Sequence, residues 1–143
     1  MTRRTLLLTP VGLAFAGAEA IPEAALIQPT ELAAKLSTKP MVICVAPATL
    51  YKGAHIEGAV HGGFTSKPEG IASLTALMKG VPKDREICLY CGCCPWNHCP
   101  NMEPAFNALK SQGFTKVKAL KIANNLHTDW VAKGYPTTKA AAL

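Results

Sequence analysis

Two short apolar runs constrain this chain more than any other feature: Met41-Val42-Ile43-Cys44-Val45, bracketed by Pro40 and Pro47, and Ile87-Cys88-Leu89-Tyr90, led in by Glu86. A strand with one wet face alternates apolar and polar residues. A strand that is apolar throughout needs cover on both faces, as in a parallel sheet flanked by helices. The rest of the chain supplies that cover. Pro29 to Leu36 reads as a helix with Thr30 as its N-cap. Ile71, Leu74, Leu77 and Met78 recur at helical spacing, and Gly80 then Pro82 end that run. Asn101 stands where it would cap a helix whose apolar face is Met102, Ala105, Phe106 and Leu109. Pro104 falls in that helix's first turn, where its missing N–H costs little, and Gly113 closes it. Lys116 to Leu120 alternates as another strand. A last short helix around Asp129 to Ala132 ends at Gly134, before Tyr135-Pro136. Tyr51 to Gly63 is rich in Gly and His and is assigned no element. The expected fold is α/β, a central parallel sheet of about five strands with helices on both faces.

The second apolar run leads directly into Cys91-Gly92-Cys93-Cys94-Pro95-Trp96-Asn97-His98-Cys99, which holds four of the chain's six cysteines. Ligands of parallel sheets collect at the carboxyl ends of the strands, so topology and thiol density point to one place. A thiol just before a helix N-terminus is also where negative charge on sulfur is best tolerated, because backbone N–H groups and the helix dipole favour it.

Composition narrows the function classes. The net charge is +6, but the lysines are scattered and not clustered with aromatics, which gives little support to nucleic-acid binding, and no nucleic-acid partner is expected. Residues 1–20 read as an export signal. Arg3 and Arg4 form a positive start, Thr5 to Gly17 a short apolar run, and Ala18-Glu19-Ala20 a cleavage site. Thr2-Arg3-Arg4 followed by Leu6-Leu7 resembles a twin-arginine signal, which carries folded proteins. The apolar run is too short to span a bilayer, so the mature form is expected without a membrane span, in the periplasm. Residues 21–28 are then an N-terminal extension and 29–143 a single domain.

Three motifs, in order, resemble a rhodanese-like domain. Gly53-Ala54-His55-Ile56-Glu57-Gly58-Ala59 is similar to that family's Gly-His-Ile-x-Gly-Ala turn, with Ala54 added. Ile87-Cys88-Leu89-Tyr90-Cys91 resembles the strand ending in the catalytic cysteine, and Pro104 to Phe114 the helix after it. Trp130-Val131-Ala132-Lys133-Gly134-Tyr135-Pro136 resembles the closing Trp-x-x-x-Gly-Tyr-Pro. The resemblance implies a sulfurtransferase in which Cys91 carries a persulfide, cradled by backbone N–H groups of Gly92 to Trp96. Its partners would be a small-molecule sulfane sulfur donor and a thiol acceptor, with no cofactor. The chain departs from the family in three ways. Cys44-Val45-Ala46 replaces the usual Asp-x-Arg, Asn124-Asn125 replaces Gly-Gly, and the loop is longer, with no Arg or Lys between Gly92 and Met102. The missing cation weighs against thiosulfate as donor and against phosphate chemistry.

The surplus thiols open alternatives. Cys91 and Cys94 form Cys-x-x-Cys, the spacing of thiol–disulfide oxidoreductases, and Cys94 is the expected resolving thiol. Cys94 and Cys99 also suit a structural bridge. Cys91, Cys93, Cys94 and Cys99, with His98, are soft donors for zinc, Cu(I) or an iron–sulfur cluster, in a metal-binding or sulfur-carrier module. Cys44 and Cys88 read as small core residues, His55 as a structural part of its turn, and Trp130 as core. Trp96 either walls the site or pins the loop.

Overall fold

The structure, a computed structural model, describes residues 20–140. The export signal expected over 1–20 lies outside the described residues, except for Ala20. The strands among the described residues are β1 (Leu26–Ile27), β2 (Met41–Cys44), β3 (Ala54–Ile56), β4 (Val60–His61), β5 (Ile87–Tyr90), β6 (Val117–Leu120) and β7 (Thr137–Lys139). Five of them form one parallel sheet in the order β1-β6-β5-β2-β4, while β3 and β7 pair antiparallel apart from it. The α-helices are α1 (Pro29–Lys35), α2 (Ala48–Gly53), α3 (Pro68–Leu77) and α4 (Met102–Ser111).

The two apolar runs are neighbours at the centre of the sheet, with Ile43 opposite Leu89 and Cys44 opposite Tyr90. Successive side chains point to opposite faces. Ile43 and Leu89 therefore share one face, where Ile43 and Leu74 of α3 converge on Gly62. Cys44 and Tyr90 share the other, and the Tyr90 hydroxyl accepts a hydrogen bond from the Ile56 N–H of β3 at 3.2 Å. Every residue of β5 is buried, as an apolar strand covered on both faces requires. α3 packs on α4, and α4 lies on β5 and β6 through Phe106 and Leu109.

Several local expectations are corrected. The N-cap of α1 is Gln28, not Thr30: the chain is still extended at Gln28, and the Glu31 carboxylate accepts its N–H at 2.7 Å. Part of the expected N-terminal extension belongs to the sheet, since Leu26–Ile27 cover the edge of β6 that would otherwise stand bare. The Gly- and His-rich segment carries α2, β3 and β4. His55 is structural there, stacked on Tyr51 with ring centroids 4.0 Å apart. The last helix is one π-helical turn, His127–Val131, and buried Trp130 donates its indole N–H to the Pro136 carbonyl at 2.9 Å. That bond folds the chain back after Tyr135-Pro136, so that β7 reaches β3.

Candidate thiol site

Cys91 is the first residue beyond β5, at the carboxyl end of the sheet's central strand, and it is buried. The next residue reverses the chain. Gly92 has φ +75°, a left-handed conformation that disfavours any side chain, and an added Cβ would lie 2.8 Å from Leu126 Cβ. Its carbonyl accepts the Leu126 N–H at 3.1 Å, which ties the loop to the closing turn. After Cys93 and Cys94, Pro95 starts a single 3-10 turn, Trp96–His98, closed by the His98 N–H on the Pro95 carbonyl. This turn folds the loop back, and Cys99 returns to Cys91 just before α4 begins.

The four thiols of the loop meet. Cys91, Cys93, Cys94 and Cys99 have sulfur atoms all within 4.8 Å of one another. Cys91 Sγ stands 2.9 Å from Cys93 Sγ, which stands 3.0 Å from Cys94 Sγ. Cys93, and not Cys94, is thus in direct contact with Cys91, because the left-handed turn at Gly92 swings residue 93 back over residue 91. All six cysteines are free thiols. His98 is exposed and does not join the sulfur cluster, since the 3-10 turn presents it to solvent. Trp96 packs against the core and lines a cleft with Cys99 and Met102, so it pins the loop.

Asn101 stands where the sequence places it, but with a different role. It occupies the N-cap position of α4, but its side chain makes no capping bond. It is fully buried, and its carboxamide N–H₂ donates to Cys91 Sγ at 3.1 Å and to Cys93 Sγ at 3.5 Å. The other end of the carboxamide fixes that orientation, for Oδ1 accepts the Ser66 N–H at 3.1 Å. The buried Thr65 hydroxyl donates to the Asn101 carbonyl at 2.7 Å. No pattern in the sequence links residues 65 and 66 to residue 101; only packing of α3 on α4 brings them together.

The proton balance is uneven. Hydrogen bonding from the Cys91 thiol pulls Cys99 down to about 6 against burial, helped by the N–H groups of Asn101 and Met102 and by the Cys94 thiol. The start of α4 thus acts on Cys99, the thiol nearest its first turn. Cys91 is pushed up because its proton is held on Cys99, and also by burial and by Cys93, against the pull of Asn101. Burial, then the neighbouring sulfurs, pushes Cys94 up to about 12. Away from the loop, Cys44 and Cys88 are buried in the sheet, and burial raises both, Cys88 to about 12.

A cavity of about 460 Å³ opens onto this cluster from the side of Cys91 and Cys93. Its walls include Leu50, Tyr51, Leu126 and Val131, and Lys139 of β7 is the ammonium among its lining residues. The loop itself contributes no cation to it.

The model of the Rhodanese-like domain family matches residues 28–122. This chain belongs to the rhodanese-like domain family. The rhodanese-like domain of the Alr3790 protein from Anabaena sp. is similar in structure. One X-ray structure of it is 27% identical with a TM-score of 0.54, over 75% of this chain and 94% of that one. A solution NMR structure of the same domain is 24% identical with a TM-score of 0.61, over 80% of this chain and 79% of that one. The BH2092 protein from Bacillus halodurans is 20% identical with a TM-score of 0.61, over 80% and 76% of the two chains. No curated protein matches the sequence. The rhodanese-like fold with its parallel five-stranded sheet is therefore as the sequence led us to expect, with a cluster of cysteines where the strand ends. Among the described residues, no helix is long and apolar enough to cross a membrane.

Proposed function

We propose that this rhodanese-like domain holds one thiophilic divalent cation, best matched by Zn²⁺, on Cys91, Cys93, Cys94 and Cys99. The observation that carries the reading is the mutual approach of four sulfurs within 4.8 Å. A tetrahedral ion with Zn–S bonds of about 2.3 Å needs sulfurs about 3.8 Å apart, so small shifts of side chains suffice. An iron–sulfur cluster spreads its cysteines over two or more irons, a wider spacing than this one. Cu(I) with four thiolates would leave one more negative charge than a divalent ion does, in a loop without Arg or Lys. The donor set itself favours a metal. Crowded thiols that hold their protons against one another, with one thiolate already favoured, are relieved when a cation replaces those protons. Twin-arginine export of the folded chain would allow the ion to be loaded before export.

The test is elemental analysis of full-length protein purified under reducing conditions. One zinc per chain is expected, lost in Cys99→Ser and retained in Cys88→Ser and His98→Ala. Zinc-free protein that takes up none on titration would overturn the reading.

The cavity over Cys91 and Cys93 supports a second reading, sulfur transfer through a Cys91 persulfide that Cys93 or Cys94 resolves. Intact mass separates the two, because a persulfide adds about 32 Da that cyanide removes, whereas zinc leaves on acidification. Cyanide-labile sulfur that persists in Cys88→Ser and vanishes in Cys91→Ser is the outcome expected of the second reading.

A further inference from the structure

Of the four sulfurs brought together in the loop, two are addressed by one side chain. The Asn101 carboxamide donates to Cys91 Sγ and Cys93 Sγ, at 3.1 and 3.5 Å. Asn101 is itself completely buried. It is held from behind on two sides, by the Ser66 N–H on Oδ1 and by the Thr65 hydroxyl on its carbonyl. A helix-capping Asn would turn its side chain back on the first turn of its own helix. This one leaves the cap unmade and spends its donors on sulfur. A buried amide can do so only if its oxygen is satisfied elsewhere, and the Ser66 N–H satisfies it.

We propose that Asn101 is the positioning residue of the metal site. It fixes the Cys91 and Cys93 sulfurs relative to Cys99 and draws charge from thiolates that no basic side chain of the loop offsets. The assignment rests on the metal reading above and adds to it the outer group that tunes the centre. Four thiolates on a divalent ion leave two negative charges in a partly buried loop. N–H···S bonds are the means by which this chain spreads them, and a neutral amide serves where a carboxylate would repel. Outer-shell partners of this kind typically change metal affinity about 10- to 100-fold when removed.

The experiment is titration of the reduced full-length chain with Co²⁺, whose sulfur-to-cobalt absorption reports both ligand set and sulfur charge. Wild type is expected to bind one Co²⁺ with a four-sulfur spectrum. Asn101→Ala should keep that stoichiometry, bind about 10- to 100-fold more weakly, and show its charge-transfer band at lower energy. The band moves because sulfur electrons no longer stabilised by N–H donors are easier to transfer. Asn101→Asp should bind more weakly still. Leu32→Ala, a buried core change in α1 outside the site, controls for stability, since it should lower the melting temperature without moving the band. An Asn101→Ala chain with the wild-type band and affinity would overturn the positioning role and leave the metal site standing. So would a Leu32→Ala band shifted as far as that of Asn101→Ala. A wild-type chain with no four-sulfur cobalt spectrum would overturn both.

Discussion

Gly92→Ala tests whether the turn at the end of β5 builds the site. Gly92 sits at φ +75°, and a side chain there costs about 1–2 kcal/mol from backbone crowding alone. The new methyl would also lie 2.8 Å from Leu126 Cβ, so residue 126 must move or the loop must lift. Forcing an extra carbon into a packed contact costs typically 1–3 kcal/mol. The two costs together predict a loss of about 3 kcal/mol. With a urea dependence of about 1–3 kcal/mol per molar, that moves the unfolding midpoint down by about 1–3 M. Gly92→Asn separates the contributions. Asn tolerates the left-handed region but keeps the Cβ, so it should recover the backbone part and retain the collision. Urea unfolding of the reduced, metal-free chains measures both. Metal affinity should fall in parallel, because Cys91 and Cys93 flank the turn. A Gly92→Ala chain within about 0.5 kcal/mol of wild type would refute the reasoning, as surface changes without a structural role fall in that range.

Three other expectations are open to direct test. Tyr90→Phe strands the buried Ile56 N–H and should cost about 1–3 kcal/mol in denaturant unfolding while leaving metal stoichiometry unchanged. In the reduced, metal-free chain, Cys99 ionises near 6 when folded and near 9.0 when unfolded. A lowered folded pKa makes stability climb with pH from about 6 to 9 and disappear below 6; Cys88 and Cys94, raised to about 12, take stability away above 9. Urea midpoints should therefore peak near pH 9, and a flat profile from pH 5 to 9 would contradict the assignment. Metal-free protein should also alkylate first at Cys99 at pH 7, as read by peptide mapping, with Cys94 and Cys88 modified last.

The central sheet was legible in the sequence because an unbroken apolar strand has one physical solution, burial on both faces. Met41–Cys44 and Ile87–Tyr90 satisfy it side by side. The position of the thiols followed too, since Cys91 comes straight after such a strand. Short elements were not legible. β1, β3, β4 and β7 run two or three residues each, and they exist because an edge or a partner was waiting for them. A window of two residues holds no periodicity from which to predict that.

By itself, then, the sequence determined the layered fold, the end of the sheet where the thiols gather, and the density of sulfur there. Tertiary structure decided how those sulfurs are related. The spacing of Cys91, Cys93, Cys94 and Cys99 matches no usual metal motif, yet a left-handed glycine and one 3-10 turn bring their sulfurs within 4.8 Å. Tertiary structure also chose which thiol yields its proton, because that depends on who donates to whom inside the cluster. It turned Asn101 from a helix cap into a donor to sulfur, through two residues of a distant loop. Local patterns record what a residue prefers next to its neighbours in the chain; hydrogen bonds across packed elements depend on neighbours in space.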